Sequence, residues 1–269
     1  MIQTLPAGEP VWGVASLDNH LYILREKSSA QLEVYDINSY RMLHRWTLPG
    51  LGVVRDIVAC GHNRCAYISN WSQNCIHRVP LPVATVTRWP VHDAPTGLSL
   101  TYHRHNVLVT CATVCKIKEF STDGQLLHVL TLPQHFGSLM HAVKLSNGYF
   151  VVCHGKANDP SYRVCLIGSD GSVVKSLCGP EGTGGQPSYS PWHMAVDGNE
   201  FVFLVDVKRC RVSVLTPQLA FVREVVSREQ LQLCPVRVHL DSNKGRLYVA
   251  VNDAKGGKFT AGKVVVIGI

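Results

Sequence analysis

Six residues recur at one place in a repeated pattern: Gly13, Asp56, Gly97, His141, His193 and Arg237, separated by 43, 41, 44, 52 and 44 residues. Two of them, His141 and His193, put imidazoles at equivalent points of neighbouring repeats. With the Asp56 carboxylate they are the one constellation in the chain that resembles a metal centre, which would polarise a substrate oxygen or activate a water. The pattern is incomplete. Glycine fills two of the equivalent positions, and Arg237 shares the ring, where its fixed charge would repel a cation. A lone carboxylate is also far short of the six or more oxygens that calcium takes. The competing reading is that both histidines hydrogen-bond between repeats. The expectation is therefore no catalytic residue, no bound metal and no cofactor. The segment GPEGTGG (179–185) has no Lys-Ser/Thr pair or helix after it and reads as a connector, not a phosphate cradle. Asn70-Trp71-Ser72 is a glycosylation sequon that matters only in a secreted chain.

The elements that hold these residues share the period. PVWGVASL, VVRDIVAC, APTGLSLT, SLMHAVKL, SPWHMAVD and CPVRVHLD each open a unit of about four strand signals. In the second unit these are DIVAC, CAYIS, CIHRVPL and TVTRWPV, with breaks at GHNR, NWSQN and PVA. The second strands, such as AYIS, NVLVT and FVFLV, are nearly unbroken apolar runs, as expected where both faces of a sheet are covered. Only VSREQLQL (226–233) has the makings of a helical turn. The incomplete last unit is one strand short, and MIQTLP resembles the outer strands HRWTLPG and HVLTLPQ. These features predict an all-β, six-bladed β-propeller of four-stranded antiparallel blades, closed by an N-terminal strand that joins the C-terminal blade. It forms a single domain over 1–269, with blades near 10–52, 53–94, 95–138, 139–190, 191–234 and 235–269 plus 1–9.

Composition limits the rest. With 46% apolar and 17% charged residues the chain can build a packed core. No apolar run is long enough to cross a bilayer, and no signal peptide is visible. Its ten cysteines lie mostly inside apolar runs and form no CxxC, which suggests buried, reduced thiols and a cytoplasmic location.

One stretch is specific enough to suggest a family. CGPEGTGGQPSYSPWHMAVDGNEFVFLVDVKRCRVSVL (178–215) resembles the NHL repeat, with Pro191, Ala195, Val196, Asp197, Asp206, Arg211 and Val212 on its pattern. YISNWSQNCIHRVPL (67–81) matches through Arg78 and Val79. No GH…WD signature suggests a WD-repeat protein. The resemblance implies a recognition propeller, in some proteins the substrate-recognition arm of a ubiquitin-ligase chain of the tripartite-motif type and in others a binder of single-stranded RNA. Related six-bladed propellers also include a zinc-dependent amidating lyase and calcium-dependent lactonases, so a metal-dependent lyase or lactonase-like enzyme at the channel mouth is a further alternative.

In such a fold the start of each innermost strand and the loop between second and third strands share one face, here called the top. Around the channel mouth it would display Trp12, Arg55, Asp56, Met140, His141, Trp192, His193 and Arg237. The loops add Arg25, Lys27, Trp71, Asn74, His154, Lys156, Lys208, Arg209, Lys255 and Lys258. Against nine basic residues stand Glu26, Asp56, Asp159, Asp206 and Asp253, leaving roughly +4 on a chain of net charge +7. Trp12, Trp71 and Trp192 would act as anchors and the arginines as directional partners. Trp12 and Trp192 have the alternative of packing between blades, and Lys208–Arg209 that of a solvated turn. The binding set is thus Trp12, Arg55, Trp71, His141, Trp192, His193, Lys208, Arg209 and Arg237. The expected partner is a protein or peptide, with single-stranded RNA as the alternative, no membrane, and a monomeric domain.

Overall fold

The computed structural model describes residues 2–26, 28–83, 85–101, 104–155, 163–177, 190–256 and 258–269. They form six four-stranded antiparallel sheets arranged in a ring. Five sheets use four consecutive strands each. The sixth is composite: Cys234–Asp241, Arg246–Lys255 and Lys258–Gly268 are completed on the outside by Ile2–Thr4. Ile2 pairs with Ile267, Gln3 with Val266 and Thr4 with Val265, so the predicted closure is present.

Sequence dictates which strand goes where. In Cys65–Asn70, Val107–Cys111, Phe150–His154 and Val202–Asp206 every residue is buried. Blades stack against both faces of these second strands, so unbroken apolar runs suit them. The outermost strands, such as Met42–Leu48 and Leu126–Thr131, are largely exposed and end the sheet against solvent. Six apolar clusters fill the spaces between successive blades. The one that spans the chain ends joins Val11, Val14 and Ile23 to Val236, Tyr248 and Val264. The expected helical turn is Arg228–Leu231, where the Ser227 N–H donates to Gln230 Oε1 at 2.9 Å.

A polar clamp reinforces the seam. Arg25 is buried and paired with Glu33 at 2.7 Å, and its guanidinium donates to the carbonyls of Pro6, Glu9 and Gly262. Asn252 exchanges two 2.9 Å hydrogen bonds with the backbone of Val11. Closure therefore rests on directed bonds as well as on apolar packing.

The feature that builds the top face is a bulge repeated in all six innermost strands. Pairing slips between Val11 and Gly13, Val54 and Asp56, Pro95 and Gly97, Leu139 and His141, Pro191 and Met194, and Pro235 and Arg237. A bulge re-aims the extra side chain out of the pleat alternation. Here the extra residues include Trp12, Arg55, Thr96, Met140 and Trp192.

Candidate functional site

These five re-aimed side chains line one pocket at the top of the channel, of about 870 Å³. Trp71, from the loop after Asn70, and Phe259, from the long hairpin of the last blade, complete its aromatic wall, and Glu26, Arg237 and Lys258 also face it. Volume and apolar lining match those of small-ligand and peptide sites. Phe259 meets Trp12 edge-on at 5.5 Å. The Arg55 guanidinium lies over Trp12 at 4.6 Å and near Trp71 at 5.6 Å. Glu26 Oε2 accepts the Val54 N–H at 3.0 Å.

Trp12 and Trp192 pack between blades and are displayed at the same time. Trp12 packs on the cluster between the first and second blades and Trp192 on that between the fifth and sixth, yet both are half-buried and line the pocket. Trp71 is the exposed one, at 39%.

The next residue of each innermost strand lies deeper. His141, His193 and Arg237 are only 0%, 7% and 4% exposed, and Asp56 2%. Asp56 accepts the N–H groups of Ile57 at 2.9 Å and Leu98 at 2.8 Å, and His193 Nε2–H at 3.1 Å. His193 Nδ1 takes the Val238 N–H at 3.4 Å, so both ring nitrogens are engaged. His141 Nε2 donates to the Leu98 carbonyl at 3.0 Å, because a carbonyl only accepts. Arg237 Nε lies 3.5 Å from Asp56, and the guanidinium also grips the carbonyls of Arg55 and Val236. Burial alone would raise the Asp56 pKa, but His193 and Arg237 outweigh it and hold the carboxyl at about 2. Burial pushes His141 down to about 3 and also lowers His193. At neutral pH this is a carboxylate–guanidinium pair flanked by two neutral imidazoles.

Ligand atoms of Asp56, His141 and His193 do lie within 4.8 Å of one another. Their bonds do not suit an ion. Both histidine Nε2 atoms carry the hydrogen they donate, each Asp56 oxygen accepts a backbone N–H, and a buried guanidinium stands beside the carboxylate. Neither imidazole faces the pocket, where Arg237 is the part of this network on view. The network ties the second, third, fourth, fifth and sixth blades together beneath the pocket. Of the residues expected at the mouth, Asp56, His141 and His193 lie below the pocket, while Arg237 lines it. Glycine at 97 follows from the same crowding, because a Cβ there would sit 2.7 Å from His141 Cδ2 and from the Met140 carbonyl.

Other expected residues stand elsewhere. Lys208 and Arg209 are exposed in the turn after Asp206 but do not line the pocket. Arg25, His154 and Asp206 are buried and not displayed. Each binds the segment entering its own blade: Arg25 the Pro6 and Glu9 carbonyls, His154 the Phe136 carbonyl, and Asp206 the Ser190 N–H. Asn70 of the sequon is fully buried and shares hydrogen bonds with Ser72 and His77. Lys27, Lys156, Asp159 and the glycine-rich 179–185 lie outside the described residues. Sequence reasoning missed Phe259 and Thr96. The run RLYVAVNDAK…KFTAGKVVV carries the signal for the first, since its strand pattern continues well past the length of the other blades.

No family model matches the chain, and a comparison with curated proteins finds no match. Solved structures do share the fold. Virginiamycin B lyase from Staphylococcus aureus superposes with a TM-score of 0.69 at 11% identity, covering 100% of this chain and 99% of that one. The WD40 repeats of RRP9 give 0.71 at 14% identity, covering 99% and 97%. U3-55K gives 0.70 at 13%, covering 100% and 98%. A lyase and WD40 repeats on one scaffold show that the propeller by itself assigns no activity. The class defined by fold and topology is the all-β propeller, with six blades here.

Proposed function

We propose that the protein is a non-catalytic recognition module that binds a protein or peptide in the aromatic pocket on its top face. The observation that carries this is the bulge ring, which turns side chains of five consecutive blades into one apolar cavity walled by Trp12, Trp71, Trp192 and Phe259. Tryptophan and arginine in a desolvated pocket are the residue types that dominate binding energy at interfaces. Catalysis is disfavoured because Nε2 of both channel histidines is committed to structural hydrogen bonds and neither imidazole lines the pocket. The fifth blade's letters support an NHL-type module, with a place as the recognition arm of a ubiquitin-ligase-type chain. Of the nine cysteines among the described residues eight are buried, as reduced core thiols are, which supports the cytoplasmic reading.

The test is a crosslinked pull-down analysed by both mass spectrometry and RNA sequencing. Trp71→Ala with Phe259→Ala should lose the partners that wild type captures, while the unfolding midpoint changes little. Lys244→Ala, exposed on the opposite face, should keep them. Equal loss with the control substitution would remove the site. Recovery of RNA with a steep salt dependence would instead favour single-stranded nucleic acid on the same face.

A further inference from the structure

Arg55 stands in the pocket wall with its guanidinium over the Trp12 ring at 4.6 Å and 5.6 Å from that of Trp71, contacts that hold it among aromatic faces. Its side chain makes no hydrogen bond and no ion pair among the described residues. Among the described residues the one carboxylate lining the pocket, Glu26, attracts Arg55 through space but forms no ion pair with it and accepts the Val54 N–H. Arg237, the other guanidinium in the wall, is already spent on backbone carbonyls and Asp56. The pocket therefore offers one guanidinium fork, set among tryptophans, whose N–H donors reach no hydrogen-bond acceptor among the described residues.

We propose that Arg55 anchors a carboxylate, and that the pocket takes a peptide segment of a partner protein in which an acidic side chain lies beside a bulky apolar one. This rests on the pocket being a peptide-recognition site. A guanidinium fork fits the two oxygens of a carboxylate, and the low-polarity walls strengthen that bond while accepting the apolar neighbour. A nucleic-acid backbone would need a track of cations, whereas the lining beyond Arg55 and the engaged Arg237 supplies only Lys258, opposed by Glu26.

A phage library of random twelve-residue peptides, panned on wild type and on Arg55→Met, tests this. Methionine keeps the stem on Trp12 and removes the fork. Wild type should select sequences with Asp or Glu next to a bulky apolar residue, and Arg55→Met should select without the acid. For the best wild-type peptide, replacing the acid by its amide should weaken binding by about tenfold or more on wild type and little on Arg55→Met. Selected peptides lacking acid enrichment would overturn the carboxylate anchor and leave peptide recognition standing. Equal sensitivity to the amide in both proteins would remove Arg55 as the anchor. Failure of wild type to select any peptide, with capture of a twelve-residue oligouridylate, would overturn the peptide site itself. Should Arg55→Met fail to fold, an amide replacement that costs wild type nothing would still sink the proposal.

Discussion

Asp56 does more than any other single residue to fix the centre of the disc. Its two oxygens hold N–H groups from two blades, an imidazole from a third and stand 3.5 Å from Arg237 of a fourth. Removing it strands a buried guanidinium. Asp56→Ala should lower stability by about 3–5 kcal/mol, the range for breaking a buried pair. Asp56→Asn, which keeps an acceptor but no charge, should cost less. Urea unfolding of both variants measures this, and equal, small losses would contradict the network. Since Arg237 grips the Arg55 carbonyl, the same change should also loosen the bulge that aims Arg55. At this scale the sequence was half legible. It brought Asp56, His141, His193 and Arg237 to one ring by period alone, and the structure places Arg237 Nε 3.5 Å from Asp56 in that ring. Depth was not legible, because burial of a polar residue depends on partners from blades more than forty residues away in sequence.

Elements explain why neighbouring letters have opposite fates. A strand's alternation sends Trp12 and Gly13, or Arg55 and Asp56, to opposite sides, but the bulge decides which member of each pair meets the ligand. A bulge leaves little trace in a run such as VRDIVAC, so both members read as displayed. The blade clamps were misread for the same reason: Arg25 and His154 look like loop residues until the register puts them at buried strand ends. Gly97→Ala tests the crowding at one bulge. The added carbon would approach a backbone carbonyl to 2.7 Å, so the strand must shift, at roughly 1–3 kcal/mol. Thermal unfolding of this variant should show the loss, and crystals should show His141 displaced. A neutral substitution would mean the innermost strand is freer than its contacts indicate.

For the whole molecule, the period, the number of sheets and the joining of head to tail were all readable, because each follows from counting and from strand patterning. The pH response follows from the finished structure. Burial lowers His141 to about 3 and His77, His154 and His239 to about 4, against an ordinary value of 6.5. Between those limits the unfolded chain binds protons that the folded one refuses, so stability rises with pH across that window. The melting temperature should fall as pH drops from 7 to 5, and a flat profile would contradict neutral buried imidazoles. Asp206, raised by burial, acts in the opposite sense at lower pH and softens the fall there. The pairing of Ile2–Thr4 with residues 265–267 also has a bearing on biosynthesis. Whatever precedes or follows these residues, the ring cannot shut until the ribosome has released its final strand. Until then the nascent chain carries an open-edged stack of blades, in need of shelter from its neighbours on the polysome.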